Sequence, residues 1–296
     1  MDDPKPLPAT RRVVAGAHGS DAFQFGDLTE RKKQHADPFG AFLPNRVVSA
    51  NTMKLIIGVE LGIALLIWLN SPFKVLPRPA EVFQALGKLW TTQGLATDLF
   101  TSFFLNLEAL AYSAAISLVL AYLTVIPIFR PIVVTLSKGR FLSMIGFTTV
   151  FMLMFIGGHH LKVALLVYGI TVFFVTSMAS VIASIPKSEF DHARTLRMTE
   201  WRVVWEVVVL GTADKALEVL RQNAAMGWMM LTMVEGIVKS EGGVGTMLIA
   251  EDKYFHLPEV FAIQIVILIV GLFQDFIIGL IRRWACPYAD MVLERR

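Results

Sequence analysis

Six apolar segments interrupt this chain, at about Leu55–Leu69, Phe103–Ile126, Phe141–Ile156, Val163–Ile185, Asn223–Val238 and Val260–Ile281. Only 17% of the residues are charged, against roughly 25% in soluble chains. A chain built this way is solvated partly by lipid, which excludes an ordinary soluble enzyme. A spanning helix needs roughly 17–25 apolar residues, so the first, third and fifth segments are short on length alone.

The placement of cations decides whether the short segments count. With six spans and a cytoplasmic N-terminus, 21 of the 27 Lys and Arg fall in inside segments. Only Lys74, Arg78, Lys88, Lys162, Lys239 and Lys253 fall outside. Cytoplasmic loops carry the excess of Lys and Arg, and dropping one span would invert every later loop. The sequence therefore predicts an all-α polytopic membrane protein: a flexible cytoplasmic tail over 1–50, a six-span domain over 51–288 and a cytoplasmic C-terminal tail over 289–296. The first tail is polar, with Pro4, Pro6, Pro8, Pro38 and Pro44 and the cluster Glu30, Arg31, Lys32 and Lys33. It has no apolar run long enough for a cleavable signal core.

Several classes are excluded at this level. Cys286 is the single cysteine, so neither an intrachain disulfide nor a cysteine metal cluster is expected. A formal net charge of +3 does not suggest nucleic acid. The chain has no Gly-x-x-x-x-Gly-Lys phosphate loop, so any ATP hydrolysis belongs to another subunit, and no catalytic residue is assigned.

Two helices are expected outside the spans. After Pro79, the residues Val82, Phe83, Leu86, Leu89 and Trp90 share one face, as in a helix lying on the membrane surface or packed on the bundle. Between the fourth and fifth spans, the cytoplasmic segment 187–221 is long for a connector. Pro186 closes the span, and Ser188 with Asp191 forms a capping signal for a helix beginning near Glu189. That helix would align Phe190, Arg194, Arg197 and Trp201 along one stripe, a docking surface for a partner.

These residues resemble a family, the membrane permease subunits of ABC importers of the nitrate, sulfonate and taurine type. Its cytoplasmic signature reads E-A-A, three residues, G, nine residues, I, two residues, L-P. Here Asp191, His192 and Ala193 stand at E-A-A, Arg197 at the glycine, Val207 at the isoleucine, and Leu210 and Gly211 at L-P. The stretch Leu76–Val82 is similar to the family's L-P-x-P-x-x-V, and Gly158–Lys162 to its G-x-x-x-K turn. Glu235, the turn Gly242–Gly245, Gly271, Asp275, Arg282, Arg283 and Pro287 follow in the family's order. The similarity covers about residues 55–288. This chain departs in having Arg197 and Gly211 in the signature and no proline over 141–149, as one unequal half of a permease pair would.

The resemblance implies a type I importer permease in the bacterial inner membrane, moving a small polar or anionic solute inward. Its partners would be ABC ATPase subunits that use ATP and Mg, a second permease subunit in a homodimer or an unequal heterodimer, an extracytoplasmic substrate-binding protein and membrane lipid. A coupling helix would present Glu189, Phe190, Asp191, His192, Ala193, Arg194, Leu196, Arg197 and Trp201 to the ATPase. Path candidates are the polar residues within spans, Glu60, Glu235, Gln264 and Asp275, since charge in lipid is costly, and Met226 and Met230 as an adaptable gate lining. Structural pairing is the preferred reading for Glu60, Glu235 and Asp275. His159 and His160 are expected in a solvated loop, with no metal site. Two rival functions remain: an ion-gradient-driven transporter or channel, and a membrane anchor that recruits a cytoplasmic partner.

Overall fold

The computed structural model describes residues 50–70, 76–155 and 158–287; the expected tail 289–296 lies outside these, as does the expected tail 1–50 except for Ala50, which begins a helix. Every regular element among the described residues is helical. The chain divides into two compact units, Met1–Leu66 and Ile67–Arg296. The described part of the first belongs to helix α1 (Ala50–Leu69). At 1.5 Å per residue, α1 is about 30 Å long, the thickness of a hydrocarbon core. Glu60 lies near its middle, and its neighbours one turn away, Ile56, Ile57, Ile63 and Ala64, offer it no partner within the helix.

The second unit contains α2 (Pro79–Thr92), α3 (Leu95–Leu123), α4 (Arg130–Lys138), α5 (Met144–Met154), α6 (Gly158–Ala183), α7 (Lys187–Thr195), α8 (Glu200–Val203), α9 (Ala213–Ile237), α10 (Val244–Lys253) and α11 (Leu257–Ala285). Helices α1, α3, α6 and α11 are long and apolar enough to cross a membrane. With 11 residues, α5 is about 16 Å long, roughly half a hydrocarbon core. The 25-residue α9 is long enough, but Asp214, Lys215, Glu218 and Arg221 occupy its first turns.

The helices outrun the apolar segments in the sequence because polar residues continue a helix beyond the stretch that lipid selects. Thus α3 starts at Leu95 rather than near Phe103, and residues 213–221, expected in the coupling segment, are the start of α9. The third segment is shortened instead: Gly139–Phe141 forms a 3-10 turn, and Phe155 is extended. His159 and His160 are not in a loop but in the first turn of α6.

Helices α3, α6, α9 and α11 form the core, with Leu105, Leu110, Leu165, Leu166, Ile170, Trp228, Leu231 and Ile278 in one cluster. The widest contact is between α3 and α6. It follows from a buried stripe of small side chains on α3: Ser102, Asn106, Ala109, Ser113, Ser117 and Ala121. Small residues bring backbones close enough to interlock, and Ser113 and Ser117 donate to the carbonyls of Val167 and Thr171 on α6. Helix α2 buries Val82, Ala85 and Leu89 against Ala262, Ile263 and Val266 of α11, while Phe83 and Trp90 remain exposed. The expected single apolar face is thus divided between bundle and surroundings.

Candidate functional site

At one end of the second unit the chain leaves α6 and makes an elbow. Pro186 occupies the N-cap of α7, so the helix begins at Lys187, and Ser188 makes no cap hydrogen bond. The helix stops at Thr195, because Arg197 adopts φ 56°, a left-handed conformation that favours glycine. The expected stripe is therefore broken: Phe190 and Arg194 lie on α7, Arg197 in the turn and Trp201 on α8. Arg194 closes the elbow, donating from Nε to Glu200 Oε1 at 3.1 Å and from Nη2 to Oε2 at 3.2 Å. Asp191 adds a contact at 3.5 Å. Both partners are exposed; Arg194 holds the Glu200 carboxyl below its usual range by hydrogen bonding first and charge second.

The elbow sorts the expected docking residues into two sets. Ala193 is buried, and Phe190 is half-buried in a groove shared with Arg130, Val133 and Val134 of α4 and Ile182 of α6. Glu189, Asp191, His192, Arg194, Leu196, Arg197 and Trp201 face outward. Leu196 is 60% exposed, Trp201 73% and Trp205 57%. After α8 the backbone continues as a π-helix over Val204–Leu210. Its last turn uses Gly211 N–H, which donates to Glu206 O at 3.0 Å; a proline there has no N–H to give.

At the opposite end, Glu235 of α9 is fully buried. Ser102 Oγ donates to its Oε1 at 2.6 Å, and Gly245 N–H, in the first turn of α10, donates to Oε2 at 2.7 Å. Ser102 also accepts from Val244 N–H at 2.9 Å. The turn that permits this has Gly242 at φ 69° and Gly243 at φ 111°, and a Cβ on Gly243 would overlap the Glu235 carboxylate. Lys162, only 1% exposed, donates to Gly242 O at 2.8 Å. A helix N-terminus facing a carboxylate is favourable, so the arrangement is a closed clamp. Beside it, His159 Nε2 lies 3.0 Å from Glu108 Oε2, and Nδ1 lies 3.9 Å from Glu241 Oε2. No group of three or more potential metal ligands occurs among the described residues.

Other expected path residues are dispersed. Asp275 pairs with Arg221 at 2.7 Å, about 21 Å of helix rise from Glu235 along α9. Gln264 is exposed on α11. Met230 lines an apolar groove of about 340 Å³ with Met144, Met229, Met233 and Arg140, while Met226, half-buried one turn away, does not. Between these regions lies a buried amide cluster: Trp228 Nε1 and Asn106 Nδ2 both donate to Gln274 Oε1, at 2.7 and 3.2 Å. Asn106 packs against Gly227, where a Cβ would crowd its oxygen. Ser102 and Asn106 carry these networks without having been singled out from the sequence, where Lys162 appeared only as an outside cation and as the lysine of the G-x-x-x-K turn. The spacing of Ser102, Asn106, Ser113 and Ser117 on one face of an apolar helix was the available signal. Compared with protein-family models and with curated proteins, the chain matches none.

Proposed function

We propose that this chain is the permease subunit of an ATP-driven importer, carrying a small polar or anionic solute inward with a separate ATPase that uses ATP and Mg. In this reading α5 and α9 complete six spans, both termini are cytoplasmic in a bacterial inner membrane, and the elbow faces the cytoplasm. A second permease chain and an extracytoplasmic binding protein complete the transporter. The observation that carries the reading is the elbow: a left-handed residue stands at the one position where the resembling signature has glycine, and Leu196, Trp201 and Trp205 are exposed beside it.

A docked helix needs an anchor in a desolvated pocket and charges around it. Leu196 and Trp201 supply the anchors, Asp191, His192 and Arg197 the rim. Phe190 packs inward and ties the elbow to α4 and α6, and Ala193 is buried, so a push on Leu196 and Trp201 reaches the bundle. The test is purification of the intact complex, with an ATPase expected to co-purify. Leu196→Asp abolishes substrate-stimulated ATP hydrolysis while leaving membrane insertion intact. Unchanged hydrolysis in that variant, or ion-gradient-driven uptake by the lone chain, would overturn the reading.

A further inference from the structure

The ends of α6, α9 and α11 nearest the elbow enclose a groove of about 510 Å³ lined by Ser177, Ser180, Lys215, Glu218, Gln222 and Arg282. Its polar groups are out of balance. The one carboxylate in this set, Glu218, is already engaged: Arg282 Nη1 donates to its Oε2 at 2.8 Å, and Arg221 Nη1 lies 3.6 Å away. Apart from Arg282 Nη1, the donors are not engaged among the described residues. Arg282 Nε is buried without a hydrogen-bond partner. Lys215, Ser177, Ser180 and Gln222 make no side-chain hydrogen bond or ion pair among the described residues. An unmade hydrogen bond on a buried group such as Arg282 Nε is costly, while Ser180, Lys215 and Gln222 are exposed, so their donors are open to a ligand with several acceptor oxygens and negative charge.

We propose that this groove binds the phosphate headgroup of an anionic membrane lipid. Position favours a lipid over a soluble phosphate. Arg282 lies in the last turn of α11, Ser177 and Ser180 in the last two turns of α6, and Lys215 in the first turn of α9. The three helices thus bring their donors together near the ends of their apolar stretches, where headgroups lie. Basic pockets between spanning helices take such headgroups. Val219, one turn further into α9 than Lys215, extends the lining toward the apolar side, the direction that acyl chains leave. The site rests on the reading that these helices cross a membrane, and not on the importer assignment.

The full chain, extracted from membranes into detergent, is titrated with phosphatidylglycerol or phosphatidylcholine, and lipid retention is followed by native mass spectrometry. One phosphatidylglycerol is retained in preference to phosphatidylcholine, and excess inorganic phosphate does not displace it. Lys215→Gln, which removes no hydrogen bond or ion pair among the described residues, weakens retention about fivefold, the effect of one cation near a headgroup. Lys239→Gln, at the other end of α9, leaves it unchanged. Equal retention of phosphatidylcholine, displacement by inorganic phosphate, or full retention in Lys215→Gln would each overturn the proposal. A chain that never partitions into membranes would fail at extraction, which separates failure of the spanning reading from failure of the site.

Discussion

Glu235 and Glu200 each accept two hydrogen bonds near a helix start, yet their surroundings are opposite. Glu235 is sealed among α3, α9 and α10 by a hydroxyl and a backbone N–H, so its partners have replaced water that cannot return. Glu200 meets a guanidinium in the open, where water and salt compete with the pair. The first arrangement locks a turn to the bundle, because any loosening leaves polar groups unpaired. The second holds an elbow in register while leaving it able to move. Burial, more than the number of hydrogen bonds, separates a fixed end from a compliant one.

The largest effect should come from opening the sealed end. Glu235→Ala leaves the Ser102 hydroxyl and Gly245 N–H without an acceptor and removes the carboxylate near Lys162. The expected cost is about 3 kcal/mol, read as a lowered unfolding midpoint in detergent. A loss under about 1 kcal/mol would mean that water already reaches the clamp and that the two ends differ less than their geometry implies.

A smaller change, of opposite sign, is expected at the elbow. Arg197→Gly relieves a left-handed backbone and should raise stability by about 0.5–1 kcal/mol, since the Arg197 side chain makes no hydrogen bond or ion pair among the described residues. Destabilisation in the same melt would show that the arginine stem packs in a way that outweighs its backbone strain.

The smallest effect is the acid response of Glu200. Its folded-state carboxyl titrates below the ordinary value of 4.5, so its contribution is complete above that value and is lost as pH falls through the lowered one. The Arg194–Glu200 pair should therefore contribute fully near neutrality and weaken only in acid. Emission from Trp201, the next residue, reports this as a transition absent in Glu200→Gln. An identical acid transition in that variant would move the titration to another group.

Much of the architecture was readable from pattern alone. Four apolar segments lie in helices long enough to span, and the turn into α2 at Pro79 was legible from its proline and its apolar spacing. The elbow was harder. A helical stripe through Phe190, Arg194, Arg197 and Trp201 is consistent with the sequence, because no glycine or proline marks the break; the left-handed residue is an arginine. Likewise, hydropathy could not place the start of α9, where Asp214, Lys215, Glu218 and Arg221 carry a regular helix through charged residues. Glu235 was visible as a carboxylate in an apolar run, but its partners lie more than a hundred residues away in Ser102 and beside it in a glycine turn, so no local spacing announces them.

Local composition and periodicity were sufficient to establish a helical, lipid-solvated chain and its principal apolar segments, since burial in hydrocarbon selects side chains residue by residue and leaves its mark in every window of the sequence. They could not say which polar groups meet. Whether Glu235 is a sealed clamp or a path residue, whether Asp275 is free or paired to Arg221, and whether Ser177, Ser180, Lys215, Gln222 and Arg282 share one groove all depend on the approach of α3, α6, α9 and α11. That approach follows from small-residue packing over long separations in the chain, so it exists only once the helices have assembled.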